Sequence, residues 1–112
     1  MLYNLDELKK YSGGDTEFEI EILRTFLDEA PQFLTQVKSM LESYKYPEAR
    51  KLAHKYKSTI GILCMHELFK LIDTIENGEE KEIQNALPQI ELLTNELTNQ
   101  INLEIGKYIN CK

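Results

Sequence analysis

Between Phe18 and Ile105 apolar residues return every three or four positions, and no useful length of chain alternates apolar with polar. That is the period of a helix, not the two-residue period of a strand. An amphipathic helix must bury its stripe against another element. The chain is thereby held to helices packed on helices. Five Gly and three Pro leave few sites for the tight turns of an all-β fold. At 112 residues, one domain over 1–112 is expected. No repeat, linker or low-complexity tract interrupts it.

The stops and starts divide the pattern. Asn4 can cap a short helix over Leu5 to Tyr11, with Asp6 and Glu7 in its favourable first turn. Ser12-Gly13-Gly14 breaks it. Asp15 caps a second helix, striped by Phe18, Ile22, Phe26, Phe33, Val37 and Leu41. Pro31 lies inside that stripe, but the period resumes beyond it. One long kinked helix to about Ser43 is predicted. Tyr44-Lys45-Tyr46 turns the chain, and Pro47 opens a third helix reaching about Leu63. A fourth spans about His66 to Glu76, with Leu68, Leu71, Ile72 and Ile75 inward and Asn77-Gly78 at its end. The last covers Glu79 to Tyr108. Pro88 should divide it into a short piece and a long terminal helix carrying Ile90, Leu93, Leu97, Ile101 and Ile105. Short connections make neighbours antiparallel. The predicted fold is all-α: an up-and-down four-helix bundle with a short additional N-terminal helix.

Charge and motif content exclude several functions. The formal net charge is -6, whereas nucleic-acid binding needs a concentrated basic surface. No apolar run approaches the roughly 18 residues of a membrane helix. The opening MLYNLDELKK has no charged leader followed by an apolar stretch, so no signal peptide is expected. Cys64 and Cys111 match no metal or redox spacing and read as free thiols of a cytoplasmic protein. A di-metal bundle needs Glu-x-x-His pairs. Here Lys51 precedes His54 by three and Leu63 precedes His66. There is no Gly-rich phosphate loop, and a hydrolytic triad lacks its partners. Neither metal nor cofactor is expected, and the chain does not read as an enzyme.

One face of the third helix stands apart. With His54 at zero and about 100° per residue, Ala49, Leu52, Tyr56, Ile60 and Leu63 fall between roughly 160° and 240°. That arc is the core face, and His54 lies opposite it. Ser58 and Gly61 sit within about 40° of His54, and Arg50, Lys51 and Lys57 within about 60°. An imidazole, three cations and two small residues share one exposed ridge. Solvated Lys/Arg faces with a stray His are common. Gly61 departs from that pattern, because Gly inside a helix costs about 1 kcal/mol relative to Ala. Core crowding does not justify that cost on an outward face, whereas close approach of another surface does. His66, near a helix start, reads as a surface residue.

AHKYKSTIGIL followed by HELFKLIDTIE resembles the signature of histidine-containing phosphotransfer (HPt) domains. The matching positions are Ala53, His54, Lys57, the small Ser58, Leu68 and Glu76. FLDEAPQFLTQVKSML resembles the family's preceding helix with its proline, and LYNLDELKKYSGGDTEF its opening helix and turn. The resemblance covers essentially the whole chain. Three positions depart from it. Ser58 stands where Gly is common, Tyr56 where Leu is usual, and Cys64 where the following turn commonly has Gly. The resemblance implies a helical bundle that carries a phosphoryl group on His54, with Lys57 stabilising the transferred group. It implies receiver domains of response regulators and hybrid sensor histidine kinases as partners of a monomeric carrier. Arg50, Lys51, Lys55, Ser58, Gly61 and Ile62 are the expected docking residues, with Ile20 and Leu27 as further apolar candidates. The competing reading is a helical interaction module that binds a receiver or kinase without being phosphorylated.

Overall fold

The computed structural model describes residues 2–110, so Cys111 lies outside the described residues. Among the described residues five helices follow in order: α1 Asp6–Ser12, α2 Thr16–Glu42, α3 Tyr46–Ile62, α4 His66–Asn77 and α5 Glu80–Asn110. Helices α2 to α5 form the bundle, each packed on the next and α5 closing back on α2, while α1 lies against α2. The molecule measures 48 × 22 × 21 Å. Its length is that of α5, whose 31 residues span about 46 Å at 1.5 Å per residue.

Local signals set most boundaries. Asp15 accepts the Phe18 amide at 3.1 Å and starts α2. The Asn4 side chain accepts the Asp6 amide at 2.8 Å, just ahead of α1. The Glu79 amide donates to the Glu82 carboxylate at 2.9 Å, half of a capping box ahead of α5. Helices α2 and α3 both end in Schellman turns. The Lys45 amide reaches the Met40 carbonyl at 2.7 Å, and the Met65 amide the Ile60 carbonyl at 3.2 Å. The pivots are Tyr44 at φ 57° and Cys64 at φ 52°. Cys64 therefore keeps the left-handed turn that glycine would adopt more cheaply.

The prolines do less than the sequence suggests. Helix α2 runs unbroken through Pro31. Pro88 likewise leaves α5 continuous, so the expected division into two pieces is corrected. The reason is burial on both sides: Ile83 and Ala86 before Pro88 and Ile90 after it all lie in the core. Packing of one continuous stripe outweighs the roughly 3 kcal/mol a helical proline costs. Gly78 is also used differently from expectation. Its φ is -84°, not left-handed. A Cβ there would stand 2.5 Å from the Thr74 carbonyl oxygen, so close approach is what demands glycine.

The core holds Leu23, Phe26, Phe33 and Val37 of α2, Tyr56 and Ile60 of α3, Leu68, Ile72 and Ile75 of α4, and Ile90, Leu97 and Ile101 of α5. On α3 the buried arc is turned slightly from expectation: Ala53 is fully buried and Leu52 only partly. Phe33 stacks on Tyr56 with ring centroids 4.2 Å apart. Tyr3, Leu5 and Leu8 close one end of the bundle. Beside them the buried Glu19 accepts the Tyr108 hydroxyl at 2.6 Å and the Ser12 hydroxyl at 2.7 Å. This ties the end of α1 to α2 and α5. Desolvation, and then Glu19, push the Tyr108 phenol well above its ordinary pKa.

Candidate functional site

The most extensive helix contact in the bundle is between α3 and α4. It brings the outward ridge of α3 beside the last turns of α4. Asp73 and Glu76, three residues apart on α4, share a face. That face meets His54 and Lys57.

His54 has a side chain 75% exposed, with Nδ1 2.8 Å from Oε2 of Glu76. An ionised carboxylate only accepts, so the proton belongs on Nδ1. The Nε2 lone pair is then directed away from Glu76. The other oxygen of Glu76, Oε1, lies 2.7 Å from Nζ of Lys57. The same ammonium is 2.8 Å from Oδ1 of Asp73 and 5.1 Å from the centroid of the Phe69 ring. Asn77 donates to that Asp73 oxygen at 2.9 Å. An imidazole, a carboxylate, an ammonium and a second carboxylate thus stand in series.

The charges reinforce one another. The ion pair with Lys57 holds Glu76 below the usual carboxylate range, with His54 adding to it against desolvation. Lys57 likewise lowers Asp73. Lys57 itself is raised, first by its bond to Asp73 and then by Glu76. At neutral pH both acids are ionised and the ammonium is charged.

The remaining expected site residues separate into groups. Arg50 turns to the end of α4, where its guanidinium donates to the carbonyls of Glu76 at 2.8 Å and Gly78 at 2.9 Å. It caps the negative end of that helix rather than standing free on the ridge. Lys51 and Lys55 are exposed and form no ion pair among the described residues. The Ser58 hydroxyl folds back on the Lys55 carbonyl at 2.7 Å. Gly61 is exposed, and a Cβ there would meet only the Phe69 ring, at 3.7 Å. Nothing within the chain demands glycine at that point. Ile62 and Leu27 are half-buried. Ile20 opens instead onto a groove it shares with Arg24 and Ile109.

The roles of Asp73 and Glu76 escaped the sequence reading. Glu76 was visible as a matching position without a task, and Asp73 not at all. Their signal was the i, i+3 acid pair on α4, which gains meaning only once α3 and α4 are in register. Among the described residues no helix is long and apolar enough to cross a membrane, and no cluster of three His, Cys, Asp or Glu side chains could hold a metal ion.

A family model described as Hpt domain matches residues 21–102, which contain α3, α4 and the whole ridge. No curated protein and no solved structure matches the chain.

Proposed function

The chain belongs to the Hpt domain family, and from that membership we propose that it is a histidine phosphocarrier passing a phosphoryl group between receiver domains. Hpt domains are histidine-containing phosphotransfer modules of two-component signalling, carriers rather than catalysts. The observation that carries the finer reading is the state of His54: Nδ1 occupied by Glu76, the side chain open to solvent.

The chemistry follows from that state. The Nε2 lone pair attacks the phosphorus of an aspartyl phosphate on a receiver. The N–P bond forms, the P–O bond to the aspartate breaks, and the aspartate leaves as a carboxylate. The Nδ1 proton stays in place, so no general base is required of this chain. The phosphorylated ring gains positive charge, which the Glu76 carboxylate balances. Return of the group to a second receiver is the same step reversed. The transition state spreads charge over the phosphoryl oxygens, so positioning and electrostatics dominate. The divalent metal and its acidic ligands come from the receiver. Lys51 and Lys55 favour approach of an anionic active site. Ser58, Gly61 and Ile62 form the low ground on which the receiver settles. A cytoplasmic location accompanies this role.

The test is incubation with a phosphorylated receiver, followed by intact mass and peptide mapping. The expected result is one phosphoryl group on His54, returned when unphosphorylated receiver is added. Receiver binding without any gain in mass would instead make this a non-phosphorylated interaction module. Labelling by ATP and magnesium without a partner would make it an enzyme.

A further inference from the structure

We infer that the outward face of α5 is a self-association surface, on which a second copy of this chain seats weakly and antiparallel. The inference goes beyond the carrier reading and does not depend on it.

Leu92 and Leu103 are 73% and 69% exposed. Scattered exposed leucines need no explanation. These two are eleven positions apart, which at about 100° per residue returns to within about 20° of one direction. They stand about 16 Å apart on a single line along the helix. Between Asn85 and Gly106, Glu96 is the sole charged residue within about 60° of that line. Asn95 and Asn99 occupy the exposed ground between the leucines. The outward face of α2 is quite different, exposing Glu17, Glu21, Arg24 and Asp28 in succession. Acids flanking the α5 line are turned aside, Glu91 to Lys38 and Glu104 to Lys107. Gly106 closes the line with open space where a Cβ would stand, although Gly inside a helix costs about 1 kcal/mol relative to Ala.

Charge favours a second copy as the occupant. The chain carries a formal net charge of -6, so two copies repel wherever charged faces meet. On this face each brings one acid. Placed antiparallel about the midpoint between Leu92 and Leu103, each Leu92 packs beside the partner's Leu103. In the same register Glu96 lies beside the partner's Asn99, whose amide N–H can donate to the carboxylate. Gly106 lets the partner's Gln89 come close. The same patch serves both copies, as a closed two-fold contact requires. Helices α3 and α5 each pack on α2 and α4, so α5 lies diagonally across the bundle from α3. Pairing through α5 therefore leaves both His54 ridges facing outward.

The size of the face sets the strength. From Asn85 to Gly106 it is about 33 Å long and about 10 Å wide. That is about 330 Å² per partner, well below the roughly 800 Å² per partner of a standard stable interface. The chain is thus a monomer at micromolar concentration and pairs only toward the millimolar range.

Sedimentation equilibrium from micromolar to millimolar concentration tests this, with circular dichroism verifying that each variant is folded. The unaltered chain should show a monomer–dimer equilibrium with a Kd on the order of 0.1–1 mM. Leu92→Lys with Leu103→Lys should leave only monomer over that range, a weakening of at least about 10-fold, because like charges then face each other at both ends of the contact. This variant has a smaller net charge, so overall repulsion does not account for the loss. Leu92→Lys with Leu103→Glu sets opposite charges across an antiparallel contact and should dimerise again. An unaltered chain that stays monomeric at millimolar concentration overturns the inference. A dimer that the double-lysine variant leaves intact overturns it too, by seating the second copy on another face. A lysine–glutamate variant as weak as the double-lysine one rules out the antiparallel register. Loss of receiver binding by the double-lysine variant, without self-association of the unaltered chain, gives the face to the receiver instead.

Discussion

Oε2 of Glu76 lies 2.8 Å from Nδ1 of His54, across the joint between α4 and α3. The same contact that orients the imidazole also ties two helices. Its partners give it a pH dependence with a definite sign. Glu76 and Asp73 have ordinary values of 4.5 and 3.8 and are lowered in the fold, Lys57 being the leading cause for both. A lowered carboxylate contributes stability that is complete above its unfolded value and lost as pH falls through the folded one. Lys57 is raised above 10.5, so its contribution is complete below that value and lost as pH rises through the folded one. Stability from this cluster should be flat near neutrality and fall on the acid side below about pH 4.5. Thermal unfolding from pH 7 to pH 3 measures it. Asp73→Asn with Glu76→Gln should flatten part of that acid limb. An unchanged limb would mean that the cluster contributes nothing to folding.

Arg50 and Lys51 are adjacent in sequence and should behave differently. The Arg50 guanidinium donates to the Glu76 and Gly78 carbonyls at the end of α4. Arg50→Ala should destabilise the bundle by about 1–2 kcal/mol, the range for charge-assisted bonds at a helix terminus. Lys51 is exposed and unpaired among the described residues. Lys51→Ala should leave stability within about 0.5 kcal/mol and weaken receiver binding most at low salt. Denaturant titration and binding at two ionic strengths separate them. Equal destabilisation by both substitutions would remove Arg50 from its capping role.

That contrast marks how far the sequence could be read. The bundle, the helix order and the exposure of His54 all follow from periodicity, because period reports which face is buried. Direction within a face does not. Arg50 and Lys57 lie on the predicted ridge, but long side chains bend toward whatever element stands beside them. Only the packing of α4 shows that both bend to it. Pro88 failed as a breaker for a related reason. Its cost is local, and the burial that outweighs it comes from other helices.

Gly61 and Ser58 test the approach to His54. A Cβ at Gly61 meets only the Phe69 ring at ordinary contact distance. Gly61→Ala should therefore be tolerated and raise stability by about 0.5–1 kcal/mol through helix propensity. Gly61→Leu and Ser58→Leu should leave the fold intact while lowering both receiver affinity and transfer. Isothermal titration against an unphosphorylated receiver checks the first, rapid quench the second. Full affinity with leucine at either position would move the docking face off this ridge.

Cys64 carries a backbone cost that glycine would relieve. At φ 52° it pivots the turn from α3 into α4. Glycine adopts that region without the steric penalty of a Cβ but loses more entropy on folding. Cys64→Gly should raise stability by about 1 kcal/mol at most. Transfer should not change, since the site contacts run through α3 and α4 rather than through this turn. A loss of stability would show that the half-buried thiol contributes more by packing than its backbone costs.

The proposed acceptor gives the plainest test. The His54 side chain faces solvent and pairs with the Glu76 carboxylate. His54→Gln can still offer an amide N–H to that carboxylate. Stability should therefore stay within about 0.5 kcal/mol, while phosphoryl uptake from a receiver is abolished. Glutamine has no ring nitrogen to attack phosphorus. The product on the wild-type chain should be a phosphoramidate, whose N–P bond hydrolyses in acid and survives base. A phosphate ester on the neighbouring Ser58 would show the opposite behaviour, stable in acid and lost in strong base. The expected pattern is thus one added phosphoryl group, removed by brief acid treatment and retained after alkali. Uptake at full level by His54→Gln would move the acceptor elsewhere, with His66 next to be examined because it is exposed at the start of α4. An acid-stable product on the wild-type protein would be inconsistent with histidine as the carrier, whatever residue the mapping then identified.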